Sequence, residues 1–436
     1  MAHRYRMTPD AGQELVMRDR HCADARFVWN LACELSTWGT PETYGDATRR
    51  ARADGTTYLH QKHRPVRPLP NLAGQCRMLA EARQESEWLA AGSSSVQQAA
   101  LRDFDRAWSA FLDPANPARR PGFRSKHGTQ GFTVRDVKVR RVSRKHGEVF
   151  VPKCGWVRFR WSRDLPAKPG QARVTLDRAG RWHVAFAAPQ PPVNRKPTGA
   201  AVGIDRGVAT AMVASDGRHY RAPRISGRDT RRYLALARRH ARQAKGSRRR
   251  EKTRAAMARI TAKVTGRRRD WAEKISTRLV RDHDLVVFEK LNIPGMTAAP
   301  KPKPDPGRPG AYLPNRRKQK AGLNKAILAS AWGTLATRTQ QKAEASGAAV
   351  VYVDARFTSQ QCHACGHTAA ENRDSQAVFR CAECGHFDHA DANAARNVLA
   401  RGLAAIAAVP AHAPGHGAPR PRKTAQAAAG TTRNAA

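Results

Sequence analysis

Cys362-His363-Ala364-Cys365 is followed, after fifteen residues, by Cys381-Ala382-Glu383-Cys384 and then by Asp391. Two Cys-x-x-Cys pairs at this separation have the spacing of a zinc site. Four thiolates suit a closed, tetrahedral structural Zn²⁺. Gly366 and Gly385 stand directly behind the two pairs, where a residue without Cβ permits the tight turn that brings backbone amides toward the sulfurs. His363, His367, His386 and His389 flank the cysteines. One of them could replace a thiolate, but four sulfurs already fill a tetrahedron, which leaves the histidines peripheral.

Working outward, two apolar segments end in a carboxylate: Val202-Gly203-Ile204-Asp205 and Leu285-Val286-Val287-Phe288-Glu289. Both read as buried strands. A carboxylate at the end of a buried strand emerges, partly desolvated, at the rim of a sheet. Asp391 opens a predicted helix, where the positive end of the dipole favours an anion. On spacing alone, a strand-end acid is more often a turn residue or an ion-pair partner, and Asp391 could be an ordinary first-turn acid. Asp216, Asp284, Asp354 and Asp388 compete for any role given to them. If the three did meet, their repulsion would call for divalent cations, and hard oxygen ligands suit Mg²⁺ or Mn²⁺. Two such ions about 4 Å apart activate a water and stabilise the leaving oxygen of a phosphodiester.

The chain of 436 residues carries 79 Lys plus Arg against 35 Asp plus Glu, a formal charge of +44. That excess calls for a polyanion, with nucleic acid ahead of an anionic membrane surface. No apolar run is long enough to span a bilayer, and the N-terminal residues lack the apolar core of a signal peptide. Cys22, Cys33, Cys76 and Cys154 have no disulfide spacing, which fits a reducing, cytoplasmic setting.

Residues 3–7 read as a strand. Thr8-Pro9 reads as a helix cap, with helix from Asp10 to about Ser36 presenting Phe27, Val28, Leu31 and Ala32 on one face. Two further helices are expected between 71 and 90, and another over 94–112 with Val96, Ala100, Phe104, Trp108 and Phe111 on a stripe. From Phe132 to Ala188 the pattern alternates, and Arg173–Leu176 with Trp182–Phe186 reads as a hairpin. Pro189–Pro197 reads as a linker. Residues 228–269 hold 17 Lys plus Arg and two acids, and read as two basic helices broken at Gly246-Ser247. Pro294–Pro314 reads as a mobile loop, Ala321–Ser346 as one helix with Ile327, Ala331 and Leu335 on a stripe, and Val350–Val353 as a strand. Trp29, Trp88 and Trp108 could stack on bases, although core packing is the plainer reading.

Several of these stretches match one family in order. Gly203-Ile204-Asp205-Arg206-Gly207-Val208 resembles the first RuvC motif of the TnpB proteins of bacterial insertion sequences, and Phe288-Glu289-Lys290-Leu291-Asn292-Ile293 the second. Thr358–Gly366 with Cys381–Gly385 is similar to their zinc ribbon. Asp391-Ala392-Asn393-Ala394-Ala395-Arg396-Asn397 resembles the third motif. Arg26-Phe27-Val28-Trp29-Asn30 and Pro121-Gly122-Phe123-Arg124-Ser125-Lys126 fit as well. Arg206 departs from the family pattern, standing where an apolar residue is common, as does the small Ala390 before Asp391.

The resemblance implies an α/β multidomain protein. An RNase H-like RuvC nuclease domain with an inserted zinc ribbon would follow a helical recognition region and a small β-barrel-like region. The expected bounds are 1–9 for the first strand of the barrel-like region, 10–115 for the recognition domain, and 116–197 for the barrel-like wedge. The nuclease domain would take 198–357, the ribbon 358–390, the remainder of the nuclease domain 391–409, and a disordered tail 410–436. The resemblance further implies a guide RNA from the element's end, cleavage of complementary double-stranded DNA, no membrane partner, and a nucleoid-associated bacterial location. Asp205, Glu289 and Asp391 would be the catalytic Mg²⁺ or Mn²⁺ ligands. Cys362, Cys365, Cys381 and Cys384 would be the structural zinc ligands. Base pairing would then read sequence, with the protein holding the heteroduplex by its backbone. A strand-transferring transposase, a transposition regulator and a nuclease-silent RNA-guided repressor are the competing functions.

Overall fold

The computed structural model describes residues 2–38, 48–51, 57–60, 70–165, 169–308 and 310–408. The expected tail at 410–436 lies outside them. The chain divides into two compact units, Met1–Pro191 with Pro223–Arg268, and Pro192–Ala222 with Arg269–Ala436.

In the first unit, β1 (Ala2–Arg6) leads through Met7 to α1 (Ala11–Leu15), a π-helical turn at Val16–His21, and α2 (Cys22–Trp38). Contrary to the Thr8-Pro9 expectation, Asp10 caps α1, in a capping box with Gln13. Thr8 is occupied elsewhere, its backbone N–H donating to the Arg158 carbonyl. The strands β2 (Thr48–Ala51) and β3 (Thr57–His60) form a ribbon. The helices α3 (Leu72–Glu85), α4 (Glu87–Ala91) and α5 (Ser94–Leu112) follow. On α2 the buried face is Val28, Trp29, Ala32 and Cys33, while Phe27 is 44% exposed. Phe27 lies instead edge-on to Trp88. Trp29 packs edge-on to Phe104 of α5, and its indole N–H donates to the Gly122 carbonyl.

Six strands follow: β4 (Gln130–Arg135), β5 (Val139–Arg141), β6 (His146–Val151), β7 (Gly155–Arg160), β8 (Gln171–Leu176) and β9 (Trp182–Ala187). They make a four-stranded sheet in the order β1-β9-β8-β4 and a three-stranded sheet β5-β6-β7, joined by a bridge between Met7 and Phe159. The rings of Tyr5, Phe159 and Phe186 meet between the sheets. The β8–β9 hairpin forms in the register Val174 opposite Val184. The same unit holds α6 (Gly227–Arg242) and the start of α7 (Arg248–Asp282). Gly246, at φ +82°, and the Ser247 hydroxyl, which accepts the Arg250 N–H, make the break between them. No residue of α6 is buried.

The second unit is built on a sheet of β10 (Ala201–Asp205), β11 (Met212–Ala214), β12 (His219–Tyr220), β13 (Leu285–Glu289) and β16 (Ala349–Val353), in the order β12-β11-β10-β13-β16. The strands β10, β13 and β16 run parallel. Every residue of β13, which lies between β10 and β16, is buried, as a parallel strand covered on both faces requires. Side chains alternate between faces. Val202, Ile204, Val286 and Phe288 pack with Leu279 of α7 and with Leu335 of α10 (Trp332–Ser346). On the other face, Leu285, Val287 and Val353 pack with Val398 of α11 (Ala390–Ala407).

Two expectations are corrected here. Ala321–Ser346 is not one helix: α9 (Arg317–Ala329) ends before Ala331, whose φ of +58° turns the chain into α10. Pro294–Pro314 contains the end of a one-turn helix α8 (Ile293–Met296) and a ribbon of β14 (Lys303–Pro304) with β15 (Tyr312–Leu313). The linker reading of Pro189–Pro197 holds: it carries no helix or strand and contains the boundary between the units, with Arg195 paired to Asp284 and the Val193 N–H donating to Ser346. A second ribbon, β17 (Val378–Arg380) with β18 (Phe387–His389), precedes α11. No helix among the described residues is long and apolar enough to cross a membrane.

Candidate active site

Asp205 and Glu289 each follow one residue after the paired positions Ile204 and Phe288. They therefore leave neighbouring parallel strands side by side, about 4.8 Å apart in backbone terms. Alternation sends both carboxylates to the face covered by α11. That helix lies against bare backbone. A Cβ on Gly203 would stand 2.2 Å from the Ala395 carbonyl oxygen, and one on Gly402 would stand 2.3 Å from Val287. Asp391, in the first turn of α11, lies with Oδ2 4.0 Å from the Cβ position of Gly207. The helix thus runs back along β10, and its first turn brings the third carboxylate to the rim where Asp205 emerges.

Electrostatics record the convergence. Burial, with the Glu289 and Asp391 charges beside it, pushes the Asp205 carboxyl up to about 8. Glu289 is 5% exposed, and burial raises it as well, opposed by the Thr358 hydroxyl and by Arg206. Thr358 donates to Glu289 Oε1 at 2.8 Å. The Arg206 guanidinium is buried over the Phe288 ring and donates to the Glu289 carbonyl, which accounts for a charged residue in a position that reads as apolar. Arg373 Nη2 lies 3.4 Å from Asp391 Oδ1, and its charge lowers Asp205. Asp205 and Glu289 stay raised despite the Arg373 and Arg206 charges beside them, and three carboxylates are hard oxygen donors of the type that suits divalent cations.

The segment from Asp354 to Gln361 is held by one face of α11. Asn393, Asn397 and Arg401 recur every four residues. Asn393 donates to the Gln361 carbonyl, and Asn397 to the Thr358 and Gln361 carbonyls. Arg401 donates to the Asp354 and Arg356 carbonyls. One helix therefore supplies an acid and the clamp that sets Thr358 against Glu289.

The four cysteine sulfurs lie within 4.8 Å of one another, the only group of three or more such ligand atoms gathered this closely among the described residues. Cys362 and Cys384 are 3.7 Å apart and Cys365 and Cys381 3.6 Å. A tetrahedron with 2.3 Å metal–sulfur bonds has edges of about 3.8 Å, so the sulfurs fit such an ion. The two knuckles repeat each other. The Gly366 (φ +81°) and Gly385 (φ +71°) N–H groups donate to the Cys362 and Cys381 carbonyls, and the Cys362 and Cys381 N–H groups donate to the backbone carbonyls of His367 and His386. The His389 ring accepts the Asp391 N–H, and the His363 and His386 rings lie 4.6 Å apart.

The competing acids are engaged locally. Asp216 faces Arg218, and Asp284 accepts from Thr198 and Gly199. Asp354 accepts from the Arg356 N–H, and Asp388 pairs with Arg396. Sequence reasoning missed Arg373, Thr358 and the asparagines of α11. The arginine is one of 79 basic residues and carries no local signal. The four-residue spacing of Asn393, Asn397 and Arg401 was a readable one.

Against known proteins, residues 183–299 match the family described as "Probable transposase" and residues 332–398 the "Cas12f1-like, TNB domain". The chain is 32% identical over 328 residues to the "Putative RNA-guided DNA endonuclease" of Streptomyces pristinaespiralis, covering 74% of this chain and 75% of that one. It is 28% identical over 410 residues to the "Putative RNA-guided DNA endonuclease InsQ" of Escherichia coli (strain K12), covering 93% of each. A solved structure described as "Cryo-EM structure of the Cas12f1-sgRNA-target DNA complex" aligns at a TM-score of 0.49 and 12% identity, over 89% of this chain and 82% of that one.

Proposed function

We propose, on the premise that this chain belongs to the TnpB family, that it is a transposon-encoded RNA-guided DNA endonuclease whose RuvC-like site is formed by Asp205, Glu289 and Asp391. The observation that carries this reading is geometric: Asp205 and Glu289 follow the paired residues Ile204 and Phe288 on neighbouring strands, and Asp391 of α11 reaches to 4.0 Å from the Cβ position of Gly207. The relatives named as RNA-guided DNA endonucleases support the substrate, and the +44 charge supports the polyanionic partners.

Divalent cations held between these carboxylates, Mg²⁺ or Mn²⁺, would supply an activated water and stabilisation of the leaving 3′ oxygen. The chain's own residues do the rest. Asp205 and Glu289 are fixed by strand register, and Thr358 orients the Glu289 carboxylate. Asp391 is held by α11, and Arg373 offers positive charge beside the acids, where a phosphodiester would enter. Four thiolates would hold a structural Zn²⁺ that sets the segment carrying Arg373. The helices and sheets of residues 10–197 would serve recognition, with 10–115 as the helical domain and 1–9 with 116–197 as the barrel-like wedge. The nuclease part would run over 198–357 and 391–409 around the ribbon at 358–390. The basic pair at 228–269 would hold nucleic-acid backbone. A cytoplasmic, nucleoid-associated site of action follows from the substrate.

The test is to express the protein with its native flanking DNA, sequence the RNA that copurifies, and offer the complex guide-complementary duplex DNA with Mg²⁺. One discrete RNA and cleavage that follows its guide sequence are expected. Absent or heterogeneous RNA would replace this reading with that of a DNA-binding transposition regulator, and joined element ends instead of breaks with that of a transposase.

A further inference from the structure

Phe357 holds φ +61° and is 53% exposed. The left-handed region is unfavourable for a bulky side chain, and such strain persists only where the surroundings over-determine it. Here they do. Arg401 grips the carbonyls of Asp354 and Arg356 on one side, and Asn397 grips that of Thr358 on the other. The Phe357 carbonyl itself accepts from Gln360 and Gln361. The clamp thus holds an aromatic ring out in solvent, where burial does not offset the strain. The next residue, Thr358, is the one that donates to Glu289. The exposed Arg356 places its guanidinium 5.5 Å from the ring centroid.

We propose that Phe357 is a stacking platform for one unpaired base of the DNA strand being cut, with Arg356 meeting the adjoining phosphate. An aromatic face beside a cation is the chemistry that holds single-stranded nucleic acid, and it is indifferent to sequence because every base has a π-face. A paired base has its faces covered by its neighbours, so the occupant is single-stranded. The platform stands one residue from the Glu289 contact, so a stacked base would fix the position of a nearby phosphodiester against the carboxylates. The identity of the strand rests on the nuclease reading above. The platform itself rests on the ring.

The experiment uses the full chain with its copurified RNA and single-stranded target DNA carrying 2-aminopurine, scanned through successive positions without divalent metal. Phe357→Gly removes the ring at a backbone conformation glycine adopts freely, so melting should stay within a few degrees of the wild type. One 2-aminopurine position should be quenched in the wild type, unquenched in Phe357→Gly and quenched again in Phe357→Tyr. With Mg²⁺, cleavage should fall roughly ten- to hundredfold in Phe357→Gly and recover in Phe357→Tyr, with guide RNA binding unchanged in both. If no position is quenched in the wild type, or if quenching survives in Phe357→Gly, the platform is overturned. A wild type that fails to cut but shows the ring-dependent quenching would sink the nuclease reading and leave the platform standing.

Discussion

Gly203 of β10 and Ala395 of α11 approach so closely that a Cβ on the glycine would overlap the alanine's carbonyl oxygen, 2.2 Å away. The obstacle is backbone, together with the Leu399 N–H at 2.5 Å, so no rotamer change relieves it. This contact sets the depth at which α11 lies on the sheet, and with it the reach of Asp391 toward Asp205. Gly203→Ala should therefore cost about 1–3 kcal/mol or more in stability and lower cleavage more than the stability loss explains. Melting temperature and single-turnover cleavage, measured on the same sample, check both parts.

Alanine at Asp205, Glu289 or Asp391 should abolish cleavage while leaving guide RNA bound. Retained cutting in any one variant removes that residue from the site.

Thr358→Val keeps the shape of the side chain and deletes the hydroxyl that donates to Glu289. A net loss of about 0.5–1.5 kcal/mol in carboxylate positioning should raise the Mg²⁺ concentration for half-maximal cleavage several-fold. A Mg²⁺ titration that superimposes on the wild type would dismiss the contact as incidental.

The raised Asp205 carboxyl makes stability depend on pH in a stated direction. The folded chain keeps a proton up to about 8 that the unfolded chain releases near the ordinary aspartate value of 3.8. That contribution is complete below the unfolded value and lost as pH rises through the folded one. Without added divalent metal, the wild type should lose melting temperature between about pH 5 and about pH 9. Asp205→Asn should lose less and melt higher at the alkaline end. Parallel curves would count against the charge crowding. Added Mg²⁺ should stabilise the wild type at alkaline pH and do little for the variant.

Cys362→Ser should release zinc and loosen the segment through Arg373 to Asp391, since metal binding and folding are coupled in sites of this kind. Zinc content by elemental analysis should fall from one per chain toward none. Unchanged content would refute the ligand assignment.

The sheet of the second unit was readable because β10 and β13 are short apolar runs that end abruptly in an acid. The cysteine cluster was readable because its spacing is local. The π-helical turn at Val16–His21 was not, since it serves to bury Met17 and His21 in the first unit's core. The break at Ala331 was hidden for a different reason: alanine favours helix, so its left-handed φ of +58° leaves no local mark in the sequence. The cap at Asp10 was displaced by the strand contacts of Thr8. At the site, three acids at chain ends of elements were visible, whereas Arg373 and Thr358 acquire meaning only from what they touch.

The carboxylates arrive in the order Asp205, Glu289, Asp391, with the cysteine knuckles between the last two. During synthesis, the face of β10 and β13 that receives α11 stays uncovered until the ribbon has been made. A nascent or truncated product that stops short of the ribbon's exit holds two acids of three and an open apolar sheet. Such a fragment leaves Leu285, Val287 and Val353 without the Val398 side of their core, so it should be cleared faster than the full chain.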